Sequence, residues 1–132
     1  MKLIEKQTDI GLLIFRVLVA GLLMFHGFGN LLGNYAFIKS MFAQWHIPEF
    51  FSYGAFIGEI VAPLLLIVGY KVRFASLGIA LTMLVAIFTT HLNDIFSLNQ
   101  FNGWAIELQA FYLFGAIAIF FTGGGKYVLT AK

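Results

Sequence analysis

The stretch IGLLIFRVLVAGLLMFHGFGNLL, residues 10–32, decides the fold class of this protein. Its only charged side chain is Arg16. A helix needs about 20 mostly apolar residues to cross the roughly 30 Å of hydrocarbon in a bilayer. This stretch is therefore predicted to be a transmembrane helix, with one arginine inside it.

The composition of the whole chain supports a membrane protein of one domain, residues 1–132. Hydrophobic residues make up 61% and charged residues 11% of the 132 residues. Ordinary soluble domains have roughly 45–50% apolar and about 25% charged residues. A short chain cannot hide so much apolar surface inside itself, so the excess is expected to face lipid. The net charge of +2 is too small and scattered for nucleic-acid binding, and the absence of cysteine excludes disulfides and thiol catalysis.

Three further apolar stretches are long enough to cross the bilayer, which predicts an all-α bundle of four transmembrane helices. Apolar residues also recur at helical spacing between residues 33 and 52, which indicates a short amphipathic helix in the outer interface, ended near Pro48. The predicted spans are residues 10–32, 53–70, 74–92 and 104–122.

The charges outside the spans predict the orientation. One side of the predicted bundle holds six basic residues, and the opposite side holds only Lys39. The positive-inside rule then places both termini in the cytoplasm. The six residues are Lys2, Lys6, Lys71, Arg73, Lys126 and Lys132.

Five ionisable residues lie inside the predicted spans, where each charge costs about 2.5–3.5 kcal/mol at the helix centre. A rise of about 1.5 Å per residue places four of them at similar depth in the outer half, with Arg16 lower. We expect them to face the bundle interior and to form a polar pocket, shaped by Pro63 and Asn30. Pro63 removes the hydrogen bond to the carbonyl of Glu59, which predicts a kink there. The five are Arg16, His26, Glu59, His91 and Glu107.

The charges of this predicted pocket constrain its chemistry. With neutral histidines, Arg16, Glu59 and Glu107 sum to −1, so the pocket should hold a proton or a metal ion. The candidate metal ligands are His26, Glu59, His91 and Glu107, since imidazoles and carboxylates suit zinc, iron or manganese. The Glu-x-x-His spacing of dinuclear sites is absent. A haem between His26 and His91 is not favoured, because nothing else marks a haem pocket.

The ordered set of short motifs along the chain resembles the DoxX family of small bacterial membrane proteins. The resemblance covers residues 10 to 131. The motifs are Phe15-Arg16, His26-Gly27, Gly58-Glu59, Arg73-Phe74-Ala75, His91-Leu92, Glu107 and Gly123-Gly124-Gly125-Lys126-Tyr127.

The resemblance implies a four-helix protein of the bacterial inner membrane. Members of this family are linked to quinone-coupled sulfur oxidation and to oxidoreductase complexes that answer oxidative stress. All five ionisable residues fall on the polar pattern of the family, whereas Asn30 stands where many relatives have lysine.

Three functional hypotheses follow, and the sequence leaves open whether the protein is an enzyme. The first is a redox-associated subunit whose pocket holds a quinone-like carrier and exchanges protons, beside other membrane or periplasmic redox subunits. The second is a non-catalytic partner or assembly factor with a structural polar core, and the third is a small proton or solute carrier. The glycine pairs Gly29/Gly33 and Gly54/Gly58 suit close packing within one protomer or a homo-oligomer.

Overall fold

The computed structural model describes residues 2–129, and these form a bundle of helices. Helices α1 (Lys2–Leu32), α3 (Glu49–Val68) and α4 (Val72–Thr90) are long and apolar enough to cross a membrane, and α5 (Glu107–Thr122) is a shorter apolar helix. The predicted all-α membrane bundle with a short additional helix is therefore confirmed. The short additional helix is α2, Ala36–Gln44.

Burial is confined to a narrow core, and large apolar side chains cover the outside of the bundle. Val19 and Leu66 are fully buried where α1 meets α3, and Ile79 and Ala116 are fully buried where α4 meets α5. Phenylalanines point outward all round, as at Phe74, which is 76% exposed. Such a surface is stable only against lipid, as the composition predicted.

The bundle has two different ends. The loop end carries α2 and the segment of residues 91–106. The terminal end carries the turn between α3 and α4 and the C-terminal segment. There the N–H of Leu129 donates to the carbonyl oxygens of Val68 and Gly69, at 3.2 and 3.1 Å. Lys132, one of the basic residues used for the orientation, lies outside the described residues.

All four spanning helices begin at residues that differ from the predicted starts; α3 begins at Glu49 rather than at residue 53, and α4 at Val72 rather than at residue 74. Helix α1 starts at Lys2, because the polar residues that precede the apolar stretch are also helical. Helix α5 starts at Glu107 rather than at residue 104. A tight turn precedes it, in which Leu98 and Trp104 form an antiparallel bridge and the side-chain oxygen of Asn99 accepts the N–H of Gly103 at 3.0 Å.

Helix α3 is irregular, and the irregularity lies where Pro63 predicts it. The helix opens with a 3₁₀ turn, Glu49–Tyr53, and contains a π turn, Ile57–Val61. Proline has no N–H, so the carbonyl of Glu59 loses its usual helical partner four residues later. The π turn is one residue wider than an α-helical turn and accommodates the missing hydrogen bond. Glu59 lies at its centre.

Candidate functional site

A cavity of about 420 Å³ lies between the helices at the loop end of the bundle. All five helices contribute to its wall. Leu23, Glu59 and Met83 line it from the long helices of the bundle. Helix α2 covers it with Phe37, Ile38, Met41 and Phe42. The volume falls within the range of about 300–1,000 Å³ that is typical of small-molecule sites.

Among residues 2–129, Glu59 alone places a carboxylate in the wall of this cavity. The residue is only 7% exposed, and its two carboxylate oxygens accept hydrogen bonds from the side-chain amide of Asn30, at 3.1 and 3.0 Å. Within residues 2–129, no lysine or arginine forms an ion pair with it. A buried carboxylate in this setting calls for a proton or another cation.

Two glycines allow neighbouring helices to approach the π turn that carries Glu59. A Cβ atom on Gly27 of α1 would overlap the carbonyl oxygen of Glu59, and one on Gly58 would overlap the side chain of Thr82 in α4. Gly54 and Gly29 have no such neighbour within 4 Å. The Glu59 backbone is therefore held between α1 and α4 by contacts that a larger residue would prevent.

Both histidines of the predicted pocket line the cavity. Nδ1 of His91 lies 3.1 Å from a carboxylate oxygen of Asp94, and Nε2 lies 3.2 Å from the amide nitrogen of Gln109. A neutral imidazole protonated on Nδ1 satisfies both contacts, since it then donates to Asp94 and accepts from Gln109. The exposed His26 stands edge-on to Tyr112, with their ring centres 6.1 Å apart.

Arg16 lies at the terminal end of the bundle and does not line the cavity. Its guanidinium, in a residue that is 1% exposed, donates to the carbonyl oxygens of Gly124 at 2.7 Å and Tyr127 at 2.6 Å, with a longer contact of 3.4 Å to Ile67. These carbonyls follow or end helices α5 and α3, where helix dipoles are negative. This corrects the expectation that Arg16 joins the polar pocket of Glu59.

Glu107 also lies outside the cavity. It is exposed at the start of α5, and its carboxylate accepts a hydrogen bond of 3.3 Å from the side chain of Asn99. This corrects the expectation that Glu107 joins the pocket. The reason is that the tight turn before α5 shifts the start of the helix to Glu107. Glu107 therefore lies in the first turn of α5 and faces the loop.

The predicted metal ligands are not gathered into one site. Among residues 2–129, no three histidine, aspartate or glutamate side chains lie where they could hold a metal ion together. His26, Glu59 and His91 share the cavity wall, while Glu107 is elsewhere. The proposed set is therefore not assembled as a metal centre in the described part of the chain.

Several polar residues of the site were missed by the sequence reasoning. Gln109 and Tyr112 of α5 both line the cavity. Their polar groups within an apolar stretch were a usable signal. Tyr35 has a buried hydroxyl with no hydrogen-bond partner among the described residues. Burial, and then the nearby Glu59 carboxylate, raise the pKa of Tyr35, which indicates that it adjoins the site.

Helix α2 closes the cavity on its outer side and is tied down at one end. The indole N–H of Trp45, just after α2, donates to the carbonyl oxygen of Thr89 in α4 at 3.0 Å. Tyr35 before the helix and His46 after it have positive φ angles of 58° and 59°. Sharp turns thus flank α2 on both sides and fold it back over the cavity.

Three membrane-length helices, a shorter apolar helix and an apolar outer surface define an integral membrane protein of the helical-bundle class. The DoxX family model matches residues 11–92, more than half of the chain. The chain therefore belongs to the DoxX family. The match runs from α1 to the end of α4 and includes Glu59 and His91. No curated protein and no solved structure matches the chain.

Proposed function

We propose that this protein is a redox-associated membrane subunit that holds a lipid-soluble carrier of the quinone class in the cavity and exchanges protons with it through Glu59. The observation that carries the proposal is the buried Glu59 carboxylate, which faces the cavity and has no basic partner among residues 2–129. Such a group can take up and release a proton at a place that water reaches poorly.

The lining suits the head group of such a carrier. Apolar side chains such as Phe42 and Leu81 offer a surface for a flat ring. The side chains of Gln109, Tyr112 and His26 offer hydrogen-bonding groups for ring oxygens. A quinone takes up two electrons and two protons when it is reduced. In this proposal a partner protein supplies the electrons, and the residues of this chain bind the carrier and handle its protons.

The proposal places the cavity in the outer half of the inner membrane, with both termini in the cytoplasm. The basic residues at the terminal end support this orientation through the positive-inside rule. Because the chain has no cysteine, single cysteines can report the orientation cleanly. In intact cells, an impermeant thiol reagent should label Gln100→Cys at the loop end and leave Lys126→Cys unlabelled. The reverse pattern would overturn the orientation.

Quenching of tryptophan fluorescence tests quinone binding. Trp45 contacts Thr89 of the cavity wall, so Trp104→Phe leaves one reporter close to the site. In this background, a short-chain quinone should quench Trp45 saturably. Glu59→Gln should weaken that binding, whereas Glu107→Gln, outside the cavity, should leave it unchanged. Unsaturable quenching that is equal in all variants would contradict the proposal.

A second candidate is a non-catalytic partner or assembly factor whose polar groups serve only the fold. It is favoured by Arg16, which is held entirely by carbonyls of its own chain. This candidate predicts that Glu59→Gln changes thermal stability but no ligand affinity. Co-purification from membranes, followed by identification of bound lipids and proteins, distinguishes the two.

A further inference from the structure

Among residues 2–129, the cavity lining has one negative side chain, that of Glu59, and contains neither lysine nor arginine. Arg16 is held by carbonyl oxygens at the opposite end of the bundle. Lys39, which lies within the covering helix α2, pairs with Glu49 at 3.6 Å and lies over the ring of Tyr53. The charge of Glu59 is thus left for a ligand to balance.

The surroundings of Glu59 decide which kind of cation fits. Small inorganic cations lose a tightly held hydration shell and require about six or more oxygen ligands in return. Glu59 has instead the N–H groups of Asn30 against its carboxylate, and its carbonyl oxygen is packed against Gly27. No cluster of metal-binding side chains exists among residues 2–129. The site therefore suits a cation of low charge density.

A hydrophobic organic cation meets these conditions. Its charge is spread over carbon groups, so it loses little hydration and needs one carboxylate together with aromatic faces. The cavity offers the rings of Phe42, Phe51 and Tyr112, and its volume of about 420 Å³ exceeds the needs of a bare ion. Anionic ligands are disfavoured by the same charge.

We propose that the cavity binds a substituted ammonium ion carrying aromatic or alkyl groups, with Glu59 as its counter-ion, so that each bound cation replaces one proton on that carboxyl group. This goes beyond the redox role and does not rest on it. Among residues 2–129, the other titratable groups that line the cavity are His26 from α1, His91 just after α4, hydrogen-bonded to Asp94, and Tyr112 from α5. Tyr35, in the loop before α2, adjoins Glu59.

The test uses two probes of the same shape and different charge. Phenyltrimethylammonium carries a positive nitrogen where tert-butylbenzene has a neutral carbon. Calorimetric titration of the full chain in zwitterionic phosphatidylcholine nanodiscs, in buffers with different ionisation heats, measures both affinity and proton release. The cation should bind roughly tenfold or more tightly than its neutral analogue. Its affinity should rise with pH, and its binding should release protons at pH values where the carboxyl group of Glu59 is protonated.

The variants separate Glu59 from other sources of charge. Glu59→Gln should abolish the preference for the cation while tert-butylbenzene still binds, and Glu107→Gln should behave like the unaltered protein. Equal affinity for the two probes in the unaltered protein, or a cation preference that persists in Glu59→Gln, would overturn the proposal.

The pH dependence of binding and the quinone-quenching experiment provide two further tests. Should Glu59→Gln fail to fold, the pH dependence of the two probes in the unaltered protein still decides, since only the cation depends on an ionised carboxylate. Quinone quenching without cation binding would overturn this inference and leave the redox proposal standing. Cation binding without quinone quenching would do the reverse.

Discussion

The side-chain amide of Asn30 donates to both carboxylate oxygens of Glu59, at 3.1 and 3.0 Å, across the interface between α1 and α3. Hydrogen bonds to charged groups contribute about 1.5–3 kcal/mol. This contact therefore fixes the direction of the carboxylate and links two helices at the cavity. It also means that α1, through one amide, influences the protonation of a residue in α3.

Replacing Asn30 should expose how much Glu59 depends on it. Asn30→Ala should lower the free energy of unfolding by about 1–3 kcal/mol, because a buried carboxylate loses its donor. Thermal unfolding in nanodiscs measures the change. Asn93→Ala, at an exposed loop position, is the matched control and should change little. The loss should shrink when Asn30→Ala is combined with Glu59→Gln, and an undiminished loss would show that the amide acts elsewhere.

The glycine that faces the π turn should tolerate no larger residue. Gly27→Ala should destabilise the bundle by about 1–3 kcal/mol, because the added methyl group overlaps the carbonyl of Glu59. Gly21→Ala in the same helix has open space around it and should be neutral or stabilising by up to about 1 kcal/mol. Equal effects of the two substitutions in unfolding experiments would contradict the close contact.

The buried arginine should hold the C-terminal segment in place rather than serve the cavity. Arg16→Gln should cost about 1–3 kcal/mol, since the carbonyls of Gly124 and Tyr127 lose their donor. It should also speed hydrogen exchange in residues 123–129 and leave ligand affinity unchanged. Arg73→Gln, an exposed substitution at the same end, is the control. Reduced ligand affinity with an undisturbed C-terminal segment would contradict this role.

The covering helix should loosen when its tie to α4 is removed. Trp45→Phe keeps an aromatic ring but deletes the donor to Thr89. Amide exchange in α2, residues 36–44, should then be faster by about fivefold, which corresponds to about 1 kcal/mol for one hydrogen bond. Trp104→Phe removes a similar bond, of 2.6 Å to Ile95, on the other loop and should leave α2 unaffected. Unchanged exchange in α2 would show that packing alone holds it.

Sequence patterns predicted the helices well because lipid imposes a simple rule on them. Long apolar stretches, helical spacing before Pro48, and a proline four residues after Glu59 each correspond to a feature of the structure. The positions and contacts of the Arg16 and Glu107 side chains were not predicted. Depth along a helix can be counted from the sequence, whereas the direction of a side chain around the helix depends on its neighbours.

The two displaced residues show which neighbours mattered. Arg16 meets backbone carbonyls of Gly124 and Tyr127, more than 100 residues away along the chain, as the separations of 108 and 111 residues show. Backbone acceptors of this kind leave no mark in a sequence. Glu107 depended on a tight turn around Asn99, whose side-chain hydrogen bonds no hydropathy pattern reveals.

The central claim is that the carboxyl group of Glu59 exchanges a proton in response to a ligand in the cavity. Infrared difference spectroscopy of the protein in nanodiscs, before and after addition of a short-chain quinone, observes this group directly. The account predicts a change in the C=O band of a protonated carboxyl that is retained in Glu107→Gln and lost in Glu59→Gln. A difference spectrum without such a band, or one that persists in Glu59→Gln, would contradict it.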